Sequence, residues 1–149
     1  MGTGPSSTDD DASPAGRTLS DVTLEHLDPE QLPTSPTYTQ VVVARGTRTI
    51  YVSGQVATGP AVDGDLAAQA RSVHENLVIA LEAAGARPED VAKLTTYVVD
   101  YGPELRPVVS EARRAVFGDH RPASTLIGVA ALALPQFKIE VEAIAVVEG

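Results

Sequence analysis

The chain has no cysteine and no tryptophan, and only two phenylalanines and four tyrosines in 149 residues. Without cysteine there are no disulfides and no thiolate chemistry, which fits a reducing compartment. With so few aromatics, Val, Ala, Leu and Ile must fill the interior. Basic residues are also scarce: 11 stand against 20 acids, for a formal net charge of −9. Such a chain repels phosphate backbones at long range, and no Lys/Arg cluster counters this, so no nucleic acid is expected as a partner. No apolar run reaches the ~20 residues that a membrane helix needs, so no membrane is expected either. The N-terminus lacks the apolar core of a signal peptide, and the expected location is cytoplasmic. His26, His74 and His120 are scattered without metal-ligand spacing, with His74 on a helix flank. No G-x-x-x-x-G-K-[ST] or G-x-S-x-G pattern occurs. Neither a metal nor a cofactor is expected.

What is present reads as one domain of residues 22–149 behind an acidic tail, residues 1–21, whose Gly, Ser, Pro and Asp content predicts disorder. Residues 22–36 read as a polar lead-in with a turn around Asp28-Pro29-Glu30. Residues 38–44 and 49–53 read as strands, with Arg45-Gly46-Thr47-Arg48 as a hairpin turn between them. Asp65 is the expected N-cap of a helix whose apolar stripe runs Leu66, Ala70, Val73, Leu77, Leu81 and stops at Gly85. A strand at residues 91–100 follows, then a helix from about Arg106 to Gly118, with Pro107 in its first turn. Two final strands are expected on either side of a short turn containing Pro135. The order predicts an α+β layer, a mixed β-sheet with two helices on one face.

The last of these strands carries the clearest chemical signal. Its odd positions, Phe137 through Val147, are all apolar, whereas the even positions include Glu140 and Glu142. A carboxylate set into a sheet must be hydrogen-bonded, paired or protonated, so these two acids are the first candidates for chemistry. The odd stripe and Val41/Val43 are expected on the sheet face the helices leave open, and self-association is the economical way to cover it.

Ile139-Glu140-Val141-Glu142-Ala143-Ile144-Ala145 resembles the I-E-x-E-A-I-A strand of the Rid/YjgF family of imine and enamine deaminases. Tyr38-Thr39-Gln40 resembles that family's Y-S-Q, Ser53-Gly54-Gln55 its S-G-Q, and Asn76-Leu77 with Leu81 through Gly85 its N-L…L-x-x-A-G helix. Pro122-Ala123-Ser124-Thr125 stands where the family has P-A-R-S, so the arginine is replaced by Ser124. The resemblance implies a chorismate-mutase-like fold, a homotrimeric barrel and a small-molecule substrate in each intersubunit cleft. It also implies that the missing arginine clamps a 2-imino acid carboxylate while water, oriented by a glutamate, attacks the C=N carbon.

On that basis Glu140 and Ser124 are the candidate catalytic residues, and Tyr38, Ser53, Gly54, Thr125 and Arg121 the candidate substrate-binding ones. Ser124, Thr125 and Glu140 are expected to hold a water and a neutral or cationic imine together, with specificity shifted away from 2-imino acids. A serine hydroxyl cannot reproduce a bidentate guanidinium–carboxylate pair. Arg121 lies three residues upstream on the opposite strand face, ~10 Å away along an extended chain, and is expected at a rim. The alternative is a non-catalytic trimer that binds a metabolite or a partner enzyme. Endoribonuclease activity, which the resemblance also brings in, conflicts with the acidic charge.

Overall fold

The computed structural model describes residues 23–149, and the predicted tail lies outside them. The elements are β1 (Thr23–Leu27), β2 (Val41–Arg45), β3 (Arg48–Gln55), α1 (Leu66–Ala83), β4 (Val91–Val99), α2 (Arg106–Phe117), β5 (Ala123–Val129) and β6 (Ile139–Val147). The helix signals act as read. The Asp65 carboxylate accepts the Ala68 N–H at 2.9 Å, and Gly85 ends α1 at φ 75°, a conformation that favours glycine. Pro107 sits in the first turn of α2, where its missing N–H costs nothing, and Gly118 closes that helix at φ 55°.

The main sheet has the strand order β3-β6-β4-β5, antiparallel except for the β4–β5 pair. That parallel pair is joined by the α2 crossover, as parallel neighbours require. Both helices pack on one face, where Val73, Leu77 and Leu81 of α1 meet Leu94, Val98, Ile139, Val141 and Ala145 with no exposure. The wholly apolar odd stripe of β6 is therefore the covered face, contrary to expectation. The open face carries Glu140, Glu142, Ile144, Lys93, Thr95, Tyr97 and Tyr51. A stripe without polar groups belongs against the helices, because the described residues build only one helical layer.

Three pairings differ from the sequence reading. β2 and β3 do not form a hairpin: β2 pairs with β1 in a separate two-stranded sheet, and β3 pairs with β6. The segment read as a lead-in supplies β1, whose mixed sequence TLEHL carries no alternation because four of its five residues stay exposed. β5 and β6 are not neighbours either, since β4 lies between them. Alternation identifies strands but does not identify their partners. The uncharged run beyond Val129 leaves the sheet and becomes a loop over residues 130–138. That loop is tied down by Gln69, a fully buried side chain of α1. Its Nε2 donates to the Val62 and Gln136 carbonyls at 2.9 and 2.8 Å, and its Oε1 accepts the Lys138 N–H at 2.9 Å.

Candidate functional site

Strand β5 is an edge strand, and its inner residues Ser124 and Leu126 lie beside Leu94 and Thr96 of β4, facing α2. Helical spacing places Arg106, Val109, Ser110 and Arg113 on the side of α2 that looks back at them. Tyr38 joins from the segment before β2, because Thr39 is clamped to β5. The Thr39 hydroxyl donates to the Arg121 carbonyl at 2.7 Å, and Thr39 bridges to Ala123 in parallel fashion. Between these walls lies a cavity of about 210 Å³ bordered by Tyr38, Thr96, Tyr101, Arg106, Arg113 and Ser124.

Arg113 is the functional candidate that the sequence reading missed. Its Nη1 donates to Ser124 Oγ at 3.3 Å, while its Nη2 is buried and has no hydrogen-bond partner among the described residues. Burial pushes its pKa down to about 10, so the guanidinium is still charged at neutral pH. The positive charge thought lost with the strand arginine is thus present in the cavity, carried by the helix. Spacing from Val109 and Ser110 along α2 was the available signal.

The open face holds a second concavity of about 290 Å³, bordered by Tyr51, Ser53, Lys93, Thr95, Glu142 and Ile144. Here the two acids differ. Glu142 accepts the Tyr97 hydroxyl at 2.6 Å, and this bond to a carboxylate raises the tyrosine's pKa. Glu140 has no side-chain hydrogen bond or ion pair among the described residues and lies against Gly54. A Cβ at position 54 would overlap the Glu140 carboxylate, so only glycine admits this arrangement.

The candidate residues thus fall into three places. Tyr38 and Ser124 share the β5–α2 cavity. Glu140, Gly54, Ser53 and Thr125 belong to the opposite side, where Thr125 Oγ1 accepts from Lys93 Nζ at 2.7 Å. Arg121 is engaged elsewhere: its Nη1 donates to the Ser35 carbonyl at 2.8 Å, and its Nη2 stands 3.6 Å from Asp28. Within one chain Ser124 and Glu140 cannot hold a common water. Leu126 and Val141 flank Thr96 in register on the helix side; two residues from Leu126, Ser124 stays on that side, and one residue from Val141, Glu140 does not.

His74 is fully buried rather than on a flank. Its Nδ1 donates to the Ala70 carbonyl at 2.8 Å, Nε2 has no partner among the described residues, and burial lowers its pKa. His120 Nε2 donates to the Val91 carbonyl at 2.8 Å and its ring meets His26 edge-on. Among the described residues no three His, Cys, Asp or Glu side chains converge to hold a metal, and no helix is long and apolar enough to cross a membrane.

Residues 29–147 match the family model described as Endoribonuclease L-PSP. A RutC family protein of Pyrococcus horikoshii is 36% identical over 100 residues, spanning 64% of this chain and 77% of that protein. The 2-iminobutanoate/2-iminopropanoate deaminase of Escherichia coli K12 is 38% identical over 103 residues, 65% of this chain and 78% of that enzyme. Among solved structures, a protein of the conserved Rid family from Yersinia pestis superposes with a TM-score of 0.77 at 36% identity, covering 83% of this chain and 98% of that one. RidA from an Antarctic Psychrobacter gives 0.61 at 29% identity, with 83% and 99% covered.

Proposed function

The chain belongs to the Endoribonuclease L-PSP family, the Rid/YjgF proteins, and on that premise we propose that it hydrolyses a small reactive imine or enamine. The β5–α2 cavity is the substrate site, and Glu140 from a second copy of the chain completes it. The observation that carries this reading is the state of Glu140. Of the two sheet carboxylates it is the one with no hydrogen bond or ion pair among the described residues, seated on a glycine that makes room for it.

In the proposed reaction Glu140 takes a proton from water as the oxygen adds to the C=N carbon. The proton then passes to nitrogen to give the carbinolamine; Glu140 next carries the carbinolamine's hydroxyl proton to the amine as the carbon–nitrogen bond breaks, and ammonia and a carbonyl compound leave. Atoms balance as imine plus water giving carbonyl plus ammonia. Tyr38 and Ser124 position the substrate, and no cofactor takes part. The acidic balance of 20 to 11 disfavours an RNA substrate.

Because Ser124 and Glu140 lie on opposite faces of one chain, a shared site requires association, and we infer a homotrimer whose open faces meet in a barrel. Tyr51, 77% exposed, and Ile127, 38% exposed, are apolar groups on that face that a neighbour would cover. The test is incubation with imines generated by an amine oxidase or an amino-acid oxidase, with ammonia and carbonyl release measured. Release faster than buffer supports the proposal. Release at the buffer rate for every imine, with ligand still bound, leaves a metabolite-binding trimer instead.

A further inference from the structure

We propose that Arg113 is the anion anchor of the β5–α2 cavity, and that the ligand of this chain is a small carboxylate held from helix α2 rather than from strand β5. This rests on reading that cavity as the substrate site, but it concerns what the cavity grips rather than what reaction follows.

The first ground is electrostatic. A guanidinium withdrawn from water is costly unless an acceptor of comparable strength faces it. Arg113 has only the neutral Ser124 hydroxyl, at the long distance of 3.3 Å, and its Nη2 is buried with nothing to donate to among the described residues. Its pKa is depressed by burial alone, and no carboxylate among the described residues borders the cavity beside it. The guanidinium, its charge unmatched among the described residues, borders the cavity, where a carboxylate would supply the strong acceptor it lacks.

The second ground is the lining. Among the described residues no aspartate or glutamate borders the cavity, although the chain carries a net charge of −9, and two of its arginines do. Arg106 stands two turns before Arg113 on the same side of α2, more exposed, where it would draw an anion inward. Val109 and Leu126 give the remaining wall an apolar stretch suited to a short aliphatic chain, and about 210 Å³ limits the ligand to a few carbons.

The third ground is steric. A short residue at 124 leaves the space into which the Arg113 guanidinium reaches, and a second arginine there would place two like charges in contact. Ser124 and Arg113 are thus one device: the charge absent from the strand stands on the helix.

The test is titration of the full chain with 2-oxobutanoate and with its neutral counterpart butan-2-one, followed by calorimetry and by amide chemical shifts. The carboxylate is expected to bind at least about tenfold more tightly, shifting Ser124 and α2 amides. Arg113→Gln should weaken 2-oxobutanoate roughly 30-fold or more and leave butan-2-one unchanged. Arg113→Lys should retain part of the affinity, and Ser124→Arg combined with Arg113→Ser should recover most of it. Equal binding of the two ligands by the wild type, or undiminished 2-oxobutanoate binding by Arg113→Gln, overturns the anchor. Ammonia release from a neutral imine would then still support the hydrolase. Conversely, carboxylate binding without ammonia release from any imine would sink the hydrolase and leave the anchor standing.

Discussion

The carboxylate of Glu140 fills the space that a side chain at Gly54 would need. A methyl group there cannot coexist with the observed position of the acid, so Gly54→Ala displaces Glu140 while leaving the residue present. A misplacement of about 1 Å in a catalytic group costs up to ~100-fold in rate. We expect turnover of imines by Gly54→Ala to fall about that far, approaching the loss in Glu140→Gln, with KM little changed. Steady-state kinetics on the two variants check this; wild-type turnover by Gly54→Ala would remove Glu140 from the mechanism.

Burial lowers the pKa of His74, and that of His120 in the same sense. The unfolded chain binds these protons more readily than the folded one. The stability they confer is therefore complete above about pH 6.5, the unfolded value, and is lost as pH falls from there toward the lower folded values. Urea denaturation between about pH 8 and pH 5 should show that slope, and His74→Leu should flatten it. An unchanged slope in the variant would mean that His74 is not the group responsible.

Gln69, a fully buried side chain, holds the loop at residues 130–138 through two hydrogen bonds, to Gln136 and Lys138, and ties it to Val62 through a third. Gln69→Leu strands the Lys138 N–H and two carbonyls, which should cost about 1–3 kcal/mol each where no water reaches them. Hydrogen exchange at Lys138 should accelerate well before the β6 core does. Uniform exchange across both regions would deny Gln69 this local role.

Much of this architecture was legible in the sequence. Asp65, Gly85, Pro107 and Gly118 mark their helices because each acts on its own neighbours. What was not legible is long-range. Nothing local says that β4 separates β5 from β6, or that the TLEHL segment pairs with β2 rather than remaining a lead-in. The same limit applied to the site. Glu140 and Gly54 were each singled out by pattern, but their contact depends on the β3–β6 register and the bulge between Val52 and Gln55. Arg113 escaped notice because its importance lies in which strand residue it faces. Ser124, read as a lost charge, is legible only beside the helix that restores it.

In the proposed enzyme, one site draws Ser124 and its cavity from one copy of the chain and Glu140 from another. Co-expressing Ser124→Trp, which fills the cavity, with Glu140→Gln under two tags and purifying the mixed oligomer tests it directly. Each variant alone should be inert toward the imine, and the purified mixed trimer should restore about a third of wild-type ammonia release, because one of its three interfaces then pairs two intact halves. A mixed oligomer as inert as its parents, or a chain that stays monomeric at assay concentration, would contradict it.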